Sequence, residues 1–361
     1  MVLENFTDSF DLTAKSKEIH WVEFETQEEL QLFKWETIEW IEQNETDSLV
    51  DLDNLWKLTS LSVEQAIYIS ESFKEGSREG FMDLSWLTSL NKDVVEQLSK
   101  IPNIKVLNLN WLKNLDESVT EQFPKFPNLI GLRLWKVTDL DINTMKYITK
   151  IPNLKSLVLW VENLNEDISE QFTRIPNLDT LLLRRVKNLN VNSMEHITKI
   201  PNLKDLALWL ENLDNDIVAQ FPKFSNLKGL MLNEMTDLDA NIMEYITKIP
   251  NLERLELRRV VNLNKNSFEQ SERFSKLNTL ILGLTNLDKY TAEQFINIPN
   301  LENLYLAELT TLDKDTLEQL LKIPNLQKIH LFWLTDVDGW TKQILKENYR
   351  KVAVTKLDLE E

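Results

Sequence analysis

Three histidines, no cysteine and 58 aspartates and glutamates bound the chemistry open to this 361-residue chain. Without a thiol there is no disulfide, no thiolate metal site and no cysteine nucleophile, which suits a reducing compartment. His20, His196 and His330 are scattered, and His196 stands where Tyr147 and Tyr245 stand in related stretches. A scaffold role accounts for it better than ligation or proton transfer. Asp139-Leu-Asp141-Ile-Asn143 and Asp237-Leu-Asp239-Ala-Asn241 imitate the start of a calcium loop. Both lack the glycine such a loop needs at its sixth position, and Lys150 and Lys248 replace the glutamate at its twelfth. Carboxylate pairs are too common here to single any out. No catalytic constellation, metal site or cofactor is therefore expected, and the function read from these residues is non-enzymatic. What remains is recognition chemistry, carried by eleven tryptophans and by arginine pairs at Arg184-Arg185 and Arg258-Arg259. Trp and Arg are the side chains that most often anchor a partner in an interface.

These residues recur with a period. Pro102, Pro127, Pro152, Pro176, Pro201, Ser225, Pro250, Ser275, Pro299 and Pro324 open one repeated phrase, at steps of 24 or 25 residues. Such self-similarity marks a solenoid, in which each unit buries its apolar face only against its neighbours. In residues 151–175, Leu154, Leu157 and Leu159 give an L-x-x-L-x-L spacing. They alternate with Ser156, Val158 and Trp160, which a period of two places on the exposed side of a strand. Stacked repeats would align these strands into one parallel sheet. Asn165 fits a helix N-cap, with Glu166 and Asp167 in the first turn. The same slot holds Asp116, Asp141, Asn190, Asp214, Asp239, Asn264, Asp288, Asp313 and Asp338. Ile168 and Phe172 would face inward, and Ile175 ends the helix because it precedes Pro176. The asparagine after each proline suits a turn back into the strand and a hydrogen-bonding ladder. A second period of 49 residues pairs unlike repeats, one with Trp at its strand exit (Trp160, Trp209) and its partner with Arg184-Arg185.

The stretch NLENLYLAELTTLDKDTLEQLLKI, residues 300–323, resembles the cysteine-containing class of leucine-rich repeat found in F-box-type substrate receptors and some bacterial effectors. Here Leu112, Val137, Val186, Met235, Val260, Leu309 and Leu334 fill the cysteine slot. The units starting near Pro152, Pro201 and Ser275 drop one residue in this loop. The resemblance covers residues 79–337. It implies an α/β leucine-rich-repeat horseshoe with a parallel sheet on the concave face and helices on the convex face. It fixes no ligand, because repeats of this class bind many unlike targets. Residues 1–47 do not resemble an F-box, so a ubiquitin-adaptor role is not carried over.

Three regions follow: a helical cap over 1–47 with an amphipathic helix at 27–43, a solenoid of 11–12 repeats over 48–337, and a cap and tail over 338–361. Aligning the strands gives an outward column of Asp83, Asn108, Arg133, Val158, Leu182, Ala207, Met231, Glu256, Ile281, Tyr305 and His330. Its middle is apolar where solvent alone would ask for polar groups. Trp135, Trp160, Arg184, Trp209 and Arg258 stand beside it at the strand exits, while Trp86 and Trp111 fall one register later and suit loop fillers. The expected partner site is this concave surface: Trp135, Val158, Trp160, Leu182, Arg184, Trp209, Met231 and Arg258. Eleven strands about 4.8 Å apart make a face about 50 Å long, which fits a protein partner better than a small molecule.

The net charge of −18 argues against nucleic acid. Residues 1–60 hold 15 acids against 4 lysines, which serves solubility or steers a basic partner. No apolar run is long enough to span a membrane and no secretion signal opens the chain, so a cytoplasmic location is expected. An Asn-, Lys- and Ile-rich vocabulary and the acidic residues 357–361 suit a translocated bacterial effector acting in a host cell. The competing reading is a structural scaffold whose apolar sheet face pairs with itself.

Overall fold

The computed structural model describes residues 60–67 and 80–355, apart from positions 86, 114, 138–139, 211–212, 236–239, 260–264, 333–338 and 349–351. The expected N-terminal cap, most of the first degenerate repeat, Trp86 and residues 356–361 lie outside the described residues.

The alternating leucines form one sheet of twelve strands, each beside its sequence neighbour. The strands are β1 (Phe81–Asp83), β2 (Val106–Asn108), β3 (Gly131–Leu134), β4 (Ser156–Trp160), β5 (Thr180–Arg184), β6 (Asp205–Trp209), β7 (Gly229–Asn233), β8 (Arg254–Arg258), β9 (Thr279–Gly283), β10 (Asn303–Ala307), β11 (Lys328–Phe332) and β12 (Val352–Thr355). Every pairing is parallel. Helices return the chain: α1 (Lys92–Leu98), α2 (Glu117–Thr120), α3 (Ile142–Ile148), α4 (Glu166–Phe172), α5 (Val191–Thr198), α6 (Asn215–Val218), α7 (Ala240–Thr247), α8 (Lys289–Gln294), α9 (Lys314–Leu321) and α10 (Gly339–Glu347). Between β8 and β9 the expected α-helix is replaced by two 3-10 turns, Lys265–Phe268 and Ser271–Arg273. Asn266, Ser267 and Ser271 are weak helix formers, and Phe268 is the buried apolar anchor of that stretch.

Each repeat is closed by polar chemistry that its sequence supplies. Asn91, Asp116, Asp141, Asn165, Asn190, Asp214, Asp288 and Asp313 cap their helices by accepting the backbone N–H three residues on. The cap explains Asp141 without any calcium. Opposite the caps runs the asparagine ladder. The side-chain amide of Asn128 donates to the carbonyl of Pro102 at 2.8 Å, Asn153 to Pro127 at 3.0 Å and Asn202 to Pro176 at 2.8 Å. Asn177, Asn226, Asn251, Asn300 and Asn325 repeat the bond. The ladder misses one rung. Lys276 occupies the asparagine slot there, and its ammonium donates to Asn251 Oδ1 instead.

The alternation of 24 and 25 residues has a backbone cause. Trp111, Lys136, Arg185, Glu234, Arg259 and Glu308 adopt positive φ, between 49° and 70°. Each stands three residues past the outward column, directly before the cysteine slot, whose occupants Leu112, Val137, Val186, Met235 and Leu309 are buried. In the shorter units Val161, Leu210 and Leu284 fill that buried position one residue earlier. The extra residue of the longer unit is therefore a left-handed one, and a side chain there costs about 1–2 kcal/mol of strain.

Leu157, Leu159, Ile168, Phe172 and their equivalents form one continuous core between sheet and helices. The architecture is an α/β leucine-rich-repeat solenoid.

Candidate recognition surface

The strand register sets the column of outward side chains. Asp83, Asn108, Arg133, Val158, Leu182, Ala207, Met231, Glu256, Ile281, Tyr305 and His330 are lateral neighbours. Ala353 of β12 extends the row by one. Outward does not mean exposed, and here the expectation from alternation needs correcting. Val158 and Leu182 are 7% and 3% accessible. With Ala207, Trp209 and Met231 they form a second apolar cluster, separate from the main core. Strands 4.8 Å apart leave large neighbouring side chains little room to hydrate, so they cover one another.

The column's first members are polar, and they end their strands. Asp83 accepts from the Ser85 N–H at 2.9 Å and Asn108 from the Asn110 N–H at 3.2 Å. These short Asx bends turn the chain after three-residue strands. Asn110 Oδ1 then accepts the Trp135 N–H at 2.7 Å, and the Trp111 N–H donates to the Trp135 carbonyl at 2.7 Å. Arg133 is buried beside them with its guanidinium 5.4 Å from the Phe81 ring. Burial lowers its pKa, and the Asp83 charge opposes that shift.

The strand exits carry the most distinctive chemistry. Arg184 lies between two indoles, its guanidinium carbon 4.6 Å from the Trp135 centroid and 4.4 Å from that of Trp209. Trp135 meets Trp111 edge-on at 5.3 Å and Trp160 at 6.2 Å. Lys136 Nζ sits 3.5 Å from the Trp111 centroid and 5.0 Å from that of Trp135. Arg185 lies 5.2 Å from the Trp160 ring. Each such contact contributes about 0.5–2 kcal/mol, more as it is desolvated. Trp135 and Trp209 are 7% and 5% accessible, so they are the walls of the cluster and Arg184 is its filling. Trp160 is half-buried, and Glu162 accepts a hydrogen bond from its side chain. Burial lowers the Lys136 pKa, and repulsion from Arg185 and Arg184 lowers it further.

The structure thus brings Trp135, Trp160, Arg184 and Trp209 together and sets Val158, Leu182 and Met231 beside them. It does not bring in Arg258. That side chain pairs on its own strand with buried Glu256, whose charge it balances. Trp111, Lys136 and Arg185 are members that sequence reasoning left out. Trp111 is a partner of Trp135 and not a loop filler. The signal for all three was the one-residue difference between repeat lengths, which marks the left-handed position they occupy.

His330 lies on β11 beside Tyr305. Its ring stacks on Tyr305 at 4.3 Å with an interplanar angle of 3°. His196 lies on α5, in the register of Tyr147 on α3 and Tyr245 on α7. Among the described residues no three His, Asp or Glu side chains are placed to hold a metal, and no helix is long and apolar enough to cross a membrane.

No family model and no curated protein matches the chain. Solved structures do. A leucine-rich-repeat protein of Leptospira interrogans is 20% identical at a TM-score of 0.38, over 85% of this chain and 86% of that one. The crystal structure of a TLR13–ssRNA13 complex matches at 19% identity and a TM-score of 0.46, over 83% of this chain and 42% of that one.

Proposed function

We propose that this chain is a non-enzymatic binding module that docks a protein partner on the outer face of its sheet, centred on Trp135, Trp160, Arg184 and Trp209. The observation that carries the reading is the indole–guanidinium–indole stack at the strand exits. It is a rigid aromatic and cationic surface on the face turned away from the core, with half-buried Trp160 at its edge. Val158, Leu182 and Met231 give that surface an apolar floor. Arg258 borders it and tunes charge through Glu256. The segments 1–47 and 338–361 serve as caps of the array. A host-cell effector role is the setting favoured by the composition, and cytoplasmic action fits the absence of cysteine.

The test starts with a partner captured by the intact chain. Truncating one anchor typically costs a complex about 2–4 kcal/mol, so Trp160→Ala should weaken binding at least about tenfold, which takes about 1.4 kcal/mol. Trp160 is the right choice because it is half-buried. Trp209→Ala empties a buried wall and should also lower stability, by about 3–5 kcal/mol. Unchanged affinity of a folded Trp160→Ala variant would refute the site.

A further inference from the structure

The cluster at the strand exits is all donors. Lys136, Arg184 and Arg185 converge on three indoles, and none of these six side chains offers an acceptor of its own. Lys136 and Arg185 form no salt bridge among the described residues, although the chain carries 58 acids. The indole N–H groups of Trp111 and Trp135 are buried and find no acceptor. A buried donor left without a partner is costly, and the like charges of Lys136 and Arg185 add to that cost. Glu162, on the border, is engaged by Lys187 at 3.0 Å and by Trp160, and feels the Arg185 charge without forming a salt bridge to it. Burial, and then the charges of Arg185 and Arg184, lower the Lys136 pKa.

We infer that Lys136 and Arg185, steadied on Trp111, Trp135 and Trp160, bind the carboxylates of an acidic segment in the partner protein. This rests on the docking surface proposed above and names the chemistry it recognises. The geometry disfavours the rival anion, a single-stranded nucleic acid. Base stacking needs an open ring face, whereas Trp135 is buried with Arg184 over it and Trp111 has Lys136 over it. Carboxylates can instead form charge-assisted bonds with Lys136 and Arg185, which are the strong kind.

The experiment uses the intact chain and three probes: a fluorescein-labelled hepta-glutamate peptide, its hepta-glutamine analogue and an oligo-dT of equal length. Fluorescence anisotropy should show binding of the glutamate peptide alone, and its affinity should fall with added salt as for any exposed charge contact. Lys136→Glu with Arg185→Glu should weaken it at least about tenfold while the circular dichroism spectrum stays unchanged. If that pair fails to fold, Lys136→Gln with Arg185→Gln carries the same expectation. Affinity for hepta-glutamate that ignores these substitutions overturns the proposal, as does its absence, or preferential binding of oligo-dT. A dimer that dissociates on Lys136→Glu would assign the patch to a second copy and overturn it too. Should the captured partner depend on Trp160 but not on Lys136 and Arg185, the docking surface stands and the acidic segment falls.

Discussion

At the residue scale, small polar choices fix both stability and its dependence on pH. Burial lowers the His330 pKa, and Lys328 on the same strand adds repulsion, while Tyr305 stacks on the ring. A folded-state pKa below the unfolded value of about 6.5 means that the folded protein resists protonation. Stability from this site is therefore complete above about pH 6.5 and is lost as pH falls through the folded pKa. The urea midpoint should drop between pH 7.5 and pH 5 by more in the wild type than in His330→Phe, which keeps a ring on Tyr305. Equal drops would show that this imidazole does not sense pH. Capping is simpler. Asp313 accepts the Thr316 N–H at 2.7 Å, and Asp313→Ala should cost about 1 kcal/mol of unfolding free energy. Both roles differ in how far the sequence revealed them. The cap slot admits only Asp or Asn and was legible at once. The half-burial of His330 was not, because alternation assigns a face and says nothing of how fully neighbours cover it. The same gap hid the burial of Val158, Leu182, Trp135 and Trp209.

At the scale of the element, the repeat is a closed device with interchangeable parts. The ladder predicts its own repair: Lys276→Asn should restore the missing donation to the Pro250 carbonyl and raise stability by about 0.5–1 kcal/mol, read from the denaturant midpoint. Asn202→Ala should cost a similar amount, because it breaks the 2.8 Å bond to Pro176. If the first leaves the midpoint unmoved, solvent already satisfies that carbonyl. The left-handed residue is likewise removable. Deleting Glu308 turns a 25-residue unit into the 24-residue kind that β4, β6 and β9 already use. We expect cooperative unfolding to persist, with a stability change within about 1–2 kcal/mol, the strain relieved being of that size. Strand and helix positions were readable from period and caps. The left-handed backbone was not, since long charged side chains occupy it where glycine is the usual marker.

At the scale of the whole molecule, twelve strands in sequence order leave little for topology to decide. The fold was legible because each repeat restates it, and β12 extends the array by a strand whose short sequence is weaker in pattern. The binding surface was half legible: its tryptophans and arginines announced recognition, but which of them meet depends on a register shift of one residue. An array of this kind ordinarily couples each unit only to the next. Several contacts nonetheless skip a neighbour, Arg133 to Phe81 and Arg184 to Trp135 among them, and one of these ties is an ion pair. Arg254 of β8 donates to Asp205 of β6 at 2.9 Å, across β7. It can do so because Gly229 stands between them; a Cβ there would meet Asp205 Oδ1 at 2.2 Å. Gly229→Ala should thus push the pair apart at a cost below about 1 kcal/mol, as for other half-exposed pairs. The larger effect belongs to mechanics. Pulled from its two ends in an optical trap, the solenoid should peel in steps, and β6, β7 and β8 should let go in a single one of them. In Gly229→Ala that single long step should split into shorter ones.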